Sequence, residues 1–193
     1  MTTSAENWSM EELSSVSIDD EKAGETIVDY LIEHGHTKIA EIGANLELSQ
    51  TAILRHNGYL NSFKKHGITP DERYYERARF SYDSAYRAMK KLLEKNIEIT
   101  AVYAISDVMA IGAIRAILDK GLRVPEDISI TGFDGSTLAE YYNPKIVSIR
   151  QPHKDMAARS VELLFSMIDL HKGSCHEIIP FELTEGESVA RID

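Results

Sequence analysis

The sequence predicts an α/β fold built on a doubly wound parallel sheet. Three observations predict it: short β-branched runs alternate with amphipathic stretches of helical length, Gly, Asn or Asp marks most transitions, and this rhythm continues from Val16 to the C-terminal region. Strands separated by helices of about ten residues or more pair in parallel through crossovers. The sequence shows neither the eight repeats of a TIM barrel nor a solenoid period.

Each element is predicted, in chain order, from where an apolar run begins and stops. Runs bounded by turn residues predict strands at residues 16–18, 39–42, 74–80, 101–105, 128–132, 146–150 and 178–183. Apolar residues spaced three and four apart predict helices at residues 20–34, 52–66, 84–95, 108–120 and 155–171, with a brief helical turn before Asn143-Pro144. Caps support these limits: Asp19 or Asp20 begins the first helix and Gly35 ends it.

The composition limits the class of protein. The 193 residues are 43% hydrophobic and 27% charged, which suits one ordinary domain or two small lobes and argues against disorder of the whole chain. The 21 Lys and Arg residues against 31 Asp and Glu residues give a net charge of −10. This balance argues against phosphate-backbone binding as the main activity, because that affinity depends on counterions displaced by Lys and Arg. The composition leaves open whether the protein has a local basic patch.

Compartment and cofactor chemistry are also limited by the sequence. Cys175 is the single cysteine, so no intrachain disulfide or thiolate cluster forms, and a reducing compartment fits best. The histidines lack metal-ligand spacing, so we expect no metal and no cofactor. Residues 1–14 lack periodicity and a signal-peptide pattern, and we interpret them as an unstructured arm or a cloning remnant. All apolar runs are shorter than the roughly 20 residues of a membrane span. A soluble cytoplasmic protein is expected.

Several polar side chains directly follow predicted strands. In open parallel sheets, ligands bind beyond the carboxyl ends of the strands. The candidates near these ends are Arg55, Phe80, Ser106, Asp107, Asp134 and Gln151. Carboxylates and an amide accept hydrogen bonds from hydroxyl groups, a guanidinium donates, and an aromatic ring covers a C–H face. The set therefore indicates a polyol site and contains no evident nucleophile–base pair.

Each candidate also has a structural explanation. Asp107 is equally suited to capping the helix that begins at residue 108, because Asp is a preferred N-cap. Asp134 suits the closure of a loop, and Gln151 suits the pairing of backbone groups. Arg55 on a helix is by default a solvated charge. The convergence of these residues on one edge of the sheet favours the binding interpretation.

The same residues belong to segments that resemble the lactose/galactose repressor (LacI/GalR) family. The segments occur in the family order and spacing, and the resemblance covers residues 16 to about 189. They are His34-Gly-His-Thr-Lys-Ile-Ala40, Leu54-Arg-His-Asn-Gly-Tyr59, Ala101-Val-Tyr-Ala-Ile-Ser-Asp-Val-Met-Ala-Ile-Gly112, Gly121-Leu-Arg-Val-Pro-Glu-Asp-Ile-Ser129, Gly132-Phe-Asp134 and Ser148-Ile-Arg-Gln-Pro152.

The resemblance implies the effector-binding and dimerisation region of a bacterial transcriptional regulator, with a type I periplasmic-binding-protein-like fold. It implies that Arg55 bonds to a small-molecule effector, that Asp134 binds the hydroxyl or amino groups of that effector, and that the Phe80 ring lies against it. Ser106 occupies a place often held by Asn, and Gln151 lines the crossover between lobes. The implied effector is a sugar or a sugar derivative.

Two positions depart from the family pattern. His153 stands where some relatives place an aromatic ring, which implies either a more polar effector or a residue that only packs there. Gly186 stands where a basic residue is common, which puts the local packing or charge pairing in doubt.

The resemblance also implies a division of the chain. Residues 20–147 and 180–193 are expected to form a complete C-terminal lobe, and residues 15–19 and 148–179 a partial N-terminal lobe. The strands at 16–18 and 146–150 are then expected to expose unpaired edges, and the helix at 155–171 to lack part of its cover. We expect a homodimer, with DNA contact only through a helix-turn-helix head outside these residues.

Two other classes of protein compete with this interpretation. A free-standing sugar receptor shares the fold, but the absence of a signal peptide and the Val-Pro-Glu-Asp-Ile-Ser and Gly-Phe-Asp segments favour a regulator. An enzyme would need a nucleophile, a metal set or a Gly-Lys-Ser phosphate loop, and the sequence shows none of these. We therefore expect no enzymatic activity.

Overall fold

The computed structural model describes residues 14–47, 49–170 and 174–192. Its strands are Ser15–Ser17 (β1), Ile39–Gly43 (β2), Tyr75–Arg77 (β3), Ala101–Ala104 (β4), Ser129–Thr131 (β5), Ser148–Arg150 (β6), His176–Ile178 (β7) and Glu182–Thr184 (β8). Its α-helices are Asp20–Glu33 (α1), Gln50–Lys65 (α2), Tyr82–Glu94 (α3), Asp107–Asp119 (α4), Thr137–Tyr141 (α5) and His153–Leu170 (α6). Within these residues, no helix is both long enough and apolar enough to cross a bilayer.

The main sheet is parallel and has the strand order β3-β2-β4-β5. The chain passes from β2 to β3 on one side and then returns to β4 and β5 on the other. With right-handed crossovers, this reversal places α2 on one face and α3 and α4 on the other. The doubly wound parallel sheet predicted from the sequence is therefore confirmed. Its central strands are buried on both faces, which explains their continuous apolar runs.

Helices α1 and α2 pack closely because Gly58 has no side chain. A Cβ atom at residue 58 would lie 2.3 Å from the carbonyl oxygen of Glu21 and 2.5 Å from the amide nitrogen of Glu25. The same helix pair is held by Asp29, which accepts hydrogen bonds from Ser62 Oγ at 2.6 Å and Lys65 Nζ at 2.6 Å. The contact fixes α2, the helix that carries Arg55.

Strand β6 is paired, so the predicted unpaired edge at 146–150 was wrong. β6 lies antiparallel to β8, and parallel bridges join Val147 to Thr131 and Arg150 to Asp134. The strand predicted at 178–183 is in fact two strands, β7 and β8. Pro180 separates them, because proline donates no backbone hydrogen bond to a ladder.

By its internal contacts the chain divides into two compact units, one of residues 1–19 and 152–181 and the other of residues 20–151 and 182–193. These limits differ from those expected at 147/148 and 179/180. Residues 148–151 belong to the larger unit because β6 pairs with β8 and the Ser148 hydroxyl bonds to Asp107. Of the predicted arm at 1–14, residues 1–13 lie outside the described residues, and Ser14 Oγ accepts a hydrogen bond from the Cys175 amide at 3.1 Å.

In the smaller unit, β1 pairs in parallel with β7 and α6 packs against β1. Strand β1 is therefore paired along one edge, and among the described residues its other edge has no partner strand, as the sequence predicted. Arg159 on α6 donates two hydrogen bonds to the carboxylate of Glu177 on β7. The expected lack of cover on α6 is confirmed, because four of its large apolar side chains are 52% to 62% exposed. They are Val161, Leu164, Phe165 and Ile168.

Candidate functional site

Arg55 is the centre of a polar cluster at the carboxyl edge of the main sheet. Ser49 caps the start of α2 through its hydroxyl, which accepts a hydrogen bond from the Ala52 amide and sets the helix on which Arg55 lies. Arg55 Nε donates to Asp20 Oδ1 at 2.8 Å, and one terminal nitrogen, Nη1, donates to the Ile105 carbonyl oxygen at 2.6 Å. These bonds use two of the five N–H donors of the guanidinium.

The Arg55 guanidinium also lies over an aromatic ring. Its Cζ atom is 3.5 Å from the centroid of the Phe133 ring, in cation–π geometry. Arg55 is 4% exposed. The default interpretation of Arg55 as a solvated surface charge is therefore wrong.

Asp134 and Gln151 are brought to the same place as Arg55. Asp134 Oδ1 lies 3.8 Å from Arg55 Nη1 and accepts a hydrogen bond from Gln151 Nε2 at 2.8 Å. The backbones are paired as well, because the Asp134 carbonyl oxygen accepts from the Gln151 amide at 3.2 Å. The Asp134 backbone has a φ of 118°, which is unusual for a residue with a side chain. A cation, an anion and an amide thus converge beyond β5.

Ser106 and Asp107 begin α4, but Ser106 is the N-cap, with its Oγ accepting from the Met109 amide at 3.3 Å. The alternative that Asp107 caps this helix is therefore wrong. Asp107 is 1% exposed, and its two carboxylate oxygens accept hydrogen bonds from the Ser136 amide at 2.7 Å and Ser148 Oγ at 2.6 Å. Burial raises the pKa of Asp107 above its ordinary value. In this geometry both carboxylate oxygens of Asp107 are already hydrogen-bonded to groups of the chain itself.

Phe80 lies on the loop between β3 and α3. It precedes Ser81, the N-cap of α3, and its side chain is half exposed.

Two members of the cluster were missed as site residues. Asp20 was considered only as a helix cap, although its carboxylate holds Arg55 Nε. Phe133 was noted at a strand end and within the Gly-Phe-Asp segment but was not named as a site residue, although its ring lies under the guanidinium. In the described residues, no group of three or more His, Cys, Asp or Glu side chains is placed to hold a metal ion. The arrangement is suited to hydrogen bonding with a hydroxylated ligand.

A family model described as "periplasmic binding protein-like domain" matches residues 28–189. The chain belongs to this family. Its curated relatives include the HTH-type transcriptional regulator MalR of Clostridium butyricum, 41% identical over 179 residues that make up 93% of this chain and 53% of the relative. They also include the HTH-type transcriptional repressor PurR of Vibrio atlanticus, 34% identical over 92% of this chain and 52% of the relative. The chain thus spans about half the length of these relatives.

Solved structures place this periplasmic binding protein-like domain among LacI-family regulators. The transcriptional regulator CelR in complex with cellobiose superimposes with a TM-score of 0.89 and 32% identity, over 94% of this chain and 56% of CelR. A LacI family regulator from Enterococcus faecium with bound ribose superimposes with a TM-score of 0.88 and 26% identity, over 96% of this chain and 69% of that protein. The resemblance to the LacI/GalR family and the predicted fold are confirmed. These relatives are regulators, which favours a regulator over a free-standing receptor.

Proposed function

We propose that this chain is the effector-binding and dimerisation region of a LacI/GalR-type transcriptional regulator and that it binds a sugar or a related small molecule. The observation that carries the proposal is the Arg55 guanidinium, fixed by Asp20 and Ile105 and placed 3.8 Å from the carboxylate of Asp134. Relatives with the same fold hold cellobiose and ribose, which supports a sugar as the effector class.

The roles of the site residues follow from their hydrogen-bonding chemistry. Arg55 donates to ligand oxygens through its remaining N–H groups, and Asp134 accepts from ligand hydroxyls. Gln151 orients the Asp134 carboxylate through the 2.8 Å bond from its Nε2 atom. The half-exposed Phe80 ring covers an apolar face of the ligand, whereas the buried Ser106 hydroxyl caps α4.

In the whole protein, effector binding changes the affinity for operator DNA, and operator binding changes the affinity for effector by the same factor. DNA is contacted through a helix-turn-helix head outside these residues, which is supported by the relatives being named HTH-type regulators. The acidic balance of the chain is consistent with this division of labour. Such a regulator works in the cytoplasm.

We also propose a homodimer formed through an apolar surface of the larger unit. The side chains of Tyr82, Leu138 and Tyr141 are 45%, 47% and 82% exposed. A groove of about 400 Å³ adjoins Tyr82 and is lined in part by Ile111 and Tyr142. A second copy of the chain is the occupant favoured here, because exposed aromatic surface of this kind is typical of protein interfaces.

Calorimetric titration tests the proposed site. Cellobiose, ribose, sugar phosphates and purines are titrated into the wild-type chain, Arg55→Ala and Asp134→Asn, with Arg87→Ala as a control that removes an exposed cation paired with Asp83. We expect one ligand class to bind and each site variant to weaken it by about tenfold or more, because a charge-assisted hydrogen bond is lost. Unchanged affinity in both site variants would show that the site lies elsewhere.

Binding without chemical change is part of the proposal, and it is supported by relatives that are transcriptional regulators. Incubating the same ligands with the chain and analysing them by chromatography tests it. We expect saturable binding and full recovery of each ligand. Hydrolysis of any sugar in proportion to protein concentration would favour an enzyme instead.

A further inference from the structure

The Asp107 carboxylate is fully engaged inside the larger unit. Its Oδ2 accepts a hydrogen bond from the Ser136 amide at 2.7 Å, and its Oδ1 accepts one from Ser148 Oγ at 2.6 Å. Its own amide donates to the Phe133 carbonyl oxygen at 2.7 Å. The residue is 1% exposed, so a ligand at the surface of the sheet edge does not reach these oxygens.

The partners of Asp107 flank Asp134 on both sides. Phe133 precedes Asp134 and Ser136 follows it by two residues, and both are bonded to Asp107. Ser148 adds a further bond to the same loop, because its Oγ also accepts a hydrogen bond from the Gly135 amide at 3.0 Å. The loop of residues 133–136 is therefore tied to the start of α4 and to β6, and the Asp107 carboxylate links the Ser136 amide of this loop to Ser148 of β6.

These hydrogen bonds hold Asp134 in a backbone conformation that it would not otherwise favour. A residue with a side chain and a φ of 118° needs surrounding contacts that outweigh the backbone strain. Close packing below the loop is shown by Gly132, where a Cβ atom would lie 2.3 Å from Asp107 Oδ1. The loop and the Asp107 side chain are therefore closely packed against one another.

We infer that Asp107 is a positioning residue, which holds the loop of residues 133–136 so that the Asp134 carboxylate faces Arg55, and that it does not contact the effector. This inference rests on the proposed function only in taking Asp134 as the ligand-binding carboxylate. The resemblance to the LacI/GalR family assigned no role to Asp107, and the strand-end pattern placed it among the ligand contacts.

The two roles differ in what they require of residue 107. A positioning residue needs one acceptor for the Ser136 amide and one partner for Ser148 Oγ. Asparagine keeps an acceptor for the amide through its Oδ1, and its Nδ2 donates to the hydroxyl oxygen, but the Ser148 proton then loses the acceptor that the carboxylate provides. A ligand-binding carboxylate needs its charge and its second acceptor. Asp107→Asn therefore separates positioning from ligand contact, whereas Asp107→Ala removes both.

The test compares Asp107→Asn and Asp107→Ala with the wild type, and Asp119→Ala on the exposed end of α4 is the matched control. Amide hydrogen exchange at residues 133–136 is measured by NMR, and cellobiose binding by calorimetry. We expect Asp107→Ala to raise exchange at the Ser136 amide and to weaken cellobiose binding, each by about tenfold or more. We expect Asp107→Asn to change both quantities clearly less than Asp107→Ala does, because the Ser136 amide keeps its acceptor, and we expect the control to stay within about twofold of the wild type.

Three results would overturn the inference: equal loss of cellobiose binding in both variants with unchanged exchange, wild-type exchange in Asp107→Ala, or exchange in Asp107→Asn as fast as in Asp107→Ala. If Asp107→Ala does not fold, Ser148→Ala replaces it, and we expect faster exchange at Gly135 and Ser136. If the wild type does not bind cellobiose, that result counts against a cellobiose-binding function only, and the exchange measurement still decides the role of Asp107.

Discussion

His56 Nδ1 lies 2.6 Å from Oε2 of Glu41, whose side chain is completely buried in the middle of β2. The hydrogen bond with Glu41 raises the pKa of His56, although burial opposes this rise. Burial raises the pKa of Glu41, although His56 opposes this rise. Because both pKa values are raised, the pair retains a proton to higher pH. The pair ties α2, and with it the neighbouring Arg55, to the sheet.

The first prediction concerns the pH dependence of this pair. A raised pKa in the folded state means that the stabilisation by protonated His56 is fully present below its ordinary pKa of 6.5 and is lost as the pH rises through the folded value. At pH 6 we expect His56→Gln to lower the free energy of unfolding by about 1–2 kcal/mol, since Gln replaces a charged donor with a neutral one. Urea unfolding from pH 6 to 9 should show this difference shrinking. A constant difference would contradict the assignment.

The second prediction concerns the buried hydroxyl of Tyr103. Among the described residues the Tyr103 hydroxyl has no hydrogen-bond partner, whereas Tyr59 donates to the Ile39 carbonyl oxygen at 3.0 Å. Tyr103→Phe should raise the free energy of unfolding by about 1 kcal/mol, because an unsatisfied buried polar group is removed. The matched variant Tyr59→Phe should lower it by about 1 kcal/mol, because a satisfied group is lost. Equal destabilisation of both variants in urea would disprove the difference.

The third prediction concerns the contact between α1 and α2. Gly58→Ala introduces a Cβ atom within 2.5 Å of two backbone atoms of α1, so one helix must shift. We expect the free energy of unfolding to fall by about 3 kcal/mol, as is typical of overpacking against backbone. Thermal and urea unfolding measure this change. The neighbouring Asn57→Ala serves as the control and should change stability by less than about 0.5 kcal/mol.

The fourth prediction concerns Asp20, which holds Arg55 Nε at 2.8 Å. Asp20→Ala frees the guanidinium to adopt other rotamers, so cellobiose affinity should fall by about tenfold. Asp20→Asn keeps an acceptor for Nε and should recover most of that loss. Calorimetry measures both variants beside Asp83→Ala, which removes an exposed carboxylate on α3. Identical affinities for the Ala and Asn variants would argue against a positioning role for Asp20.

The fifth prediction concerns the proposed dimer. Light scattering should give the mass of two chains for the wild type and of one chain for the double variant Leu138→Asp with Tyr141→Asp, because burying two carboxylates in an apolar interface is unfavourable. Leu118→Asp, which places a charge on another exposed apolar position, should stay dimeric. A wild type that remains monomeric at high concentration would refute the dimer.

The main sheet could be predicted because parallel strands covered on both faces leave continuous apolar runs in the sequence. The predicted strand at 101–105 corresponds to β4, Ala101–Ala104. The strand predicted at 74–80 is reduced to Tyr75–Arg77, because β3 lies at the edge of the sheet and a 3₁₀ turn, Glu72–Tyr74, precedes it. Edge position depends on the order of strands, which a local pattern does not contain.

The candidate site was only partly predictable for a related reason. Arg55 and Asp134 are found from the rule that ligands bind beyond strand ends, since residue type and strand position are both visible in the sequence. The role of Asp20 depends on how α1 packs against α2, which brings it to Arg55 from 35 positions away. The burial of Asp107 depends on Ser148, which is 41 positions away and was assigned to the other lobe. Long-range pairings of this kind leave no periodic signal.

The hydrogen bonds between Ser188 and two earlier segments of the chain affect when the larger unit can finish folding during synthesis. Ser188 is fully buried. Its Oγ atom donates a hydrogen bond to the Ile130 carbonyl oxygen at 2.6 Å and accepts one from the Val147 amide at 2.9 Å. The ribosome synthesises residues 152–181 of the smaller unit between these partners and Ser188. Val147 and Ile130 precede Ser188 by 41 and 58 positions, so their backbone groups lack this partner until Ser188 has left the exit tunnel.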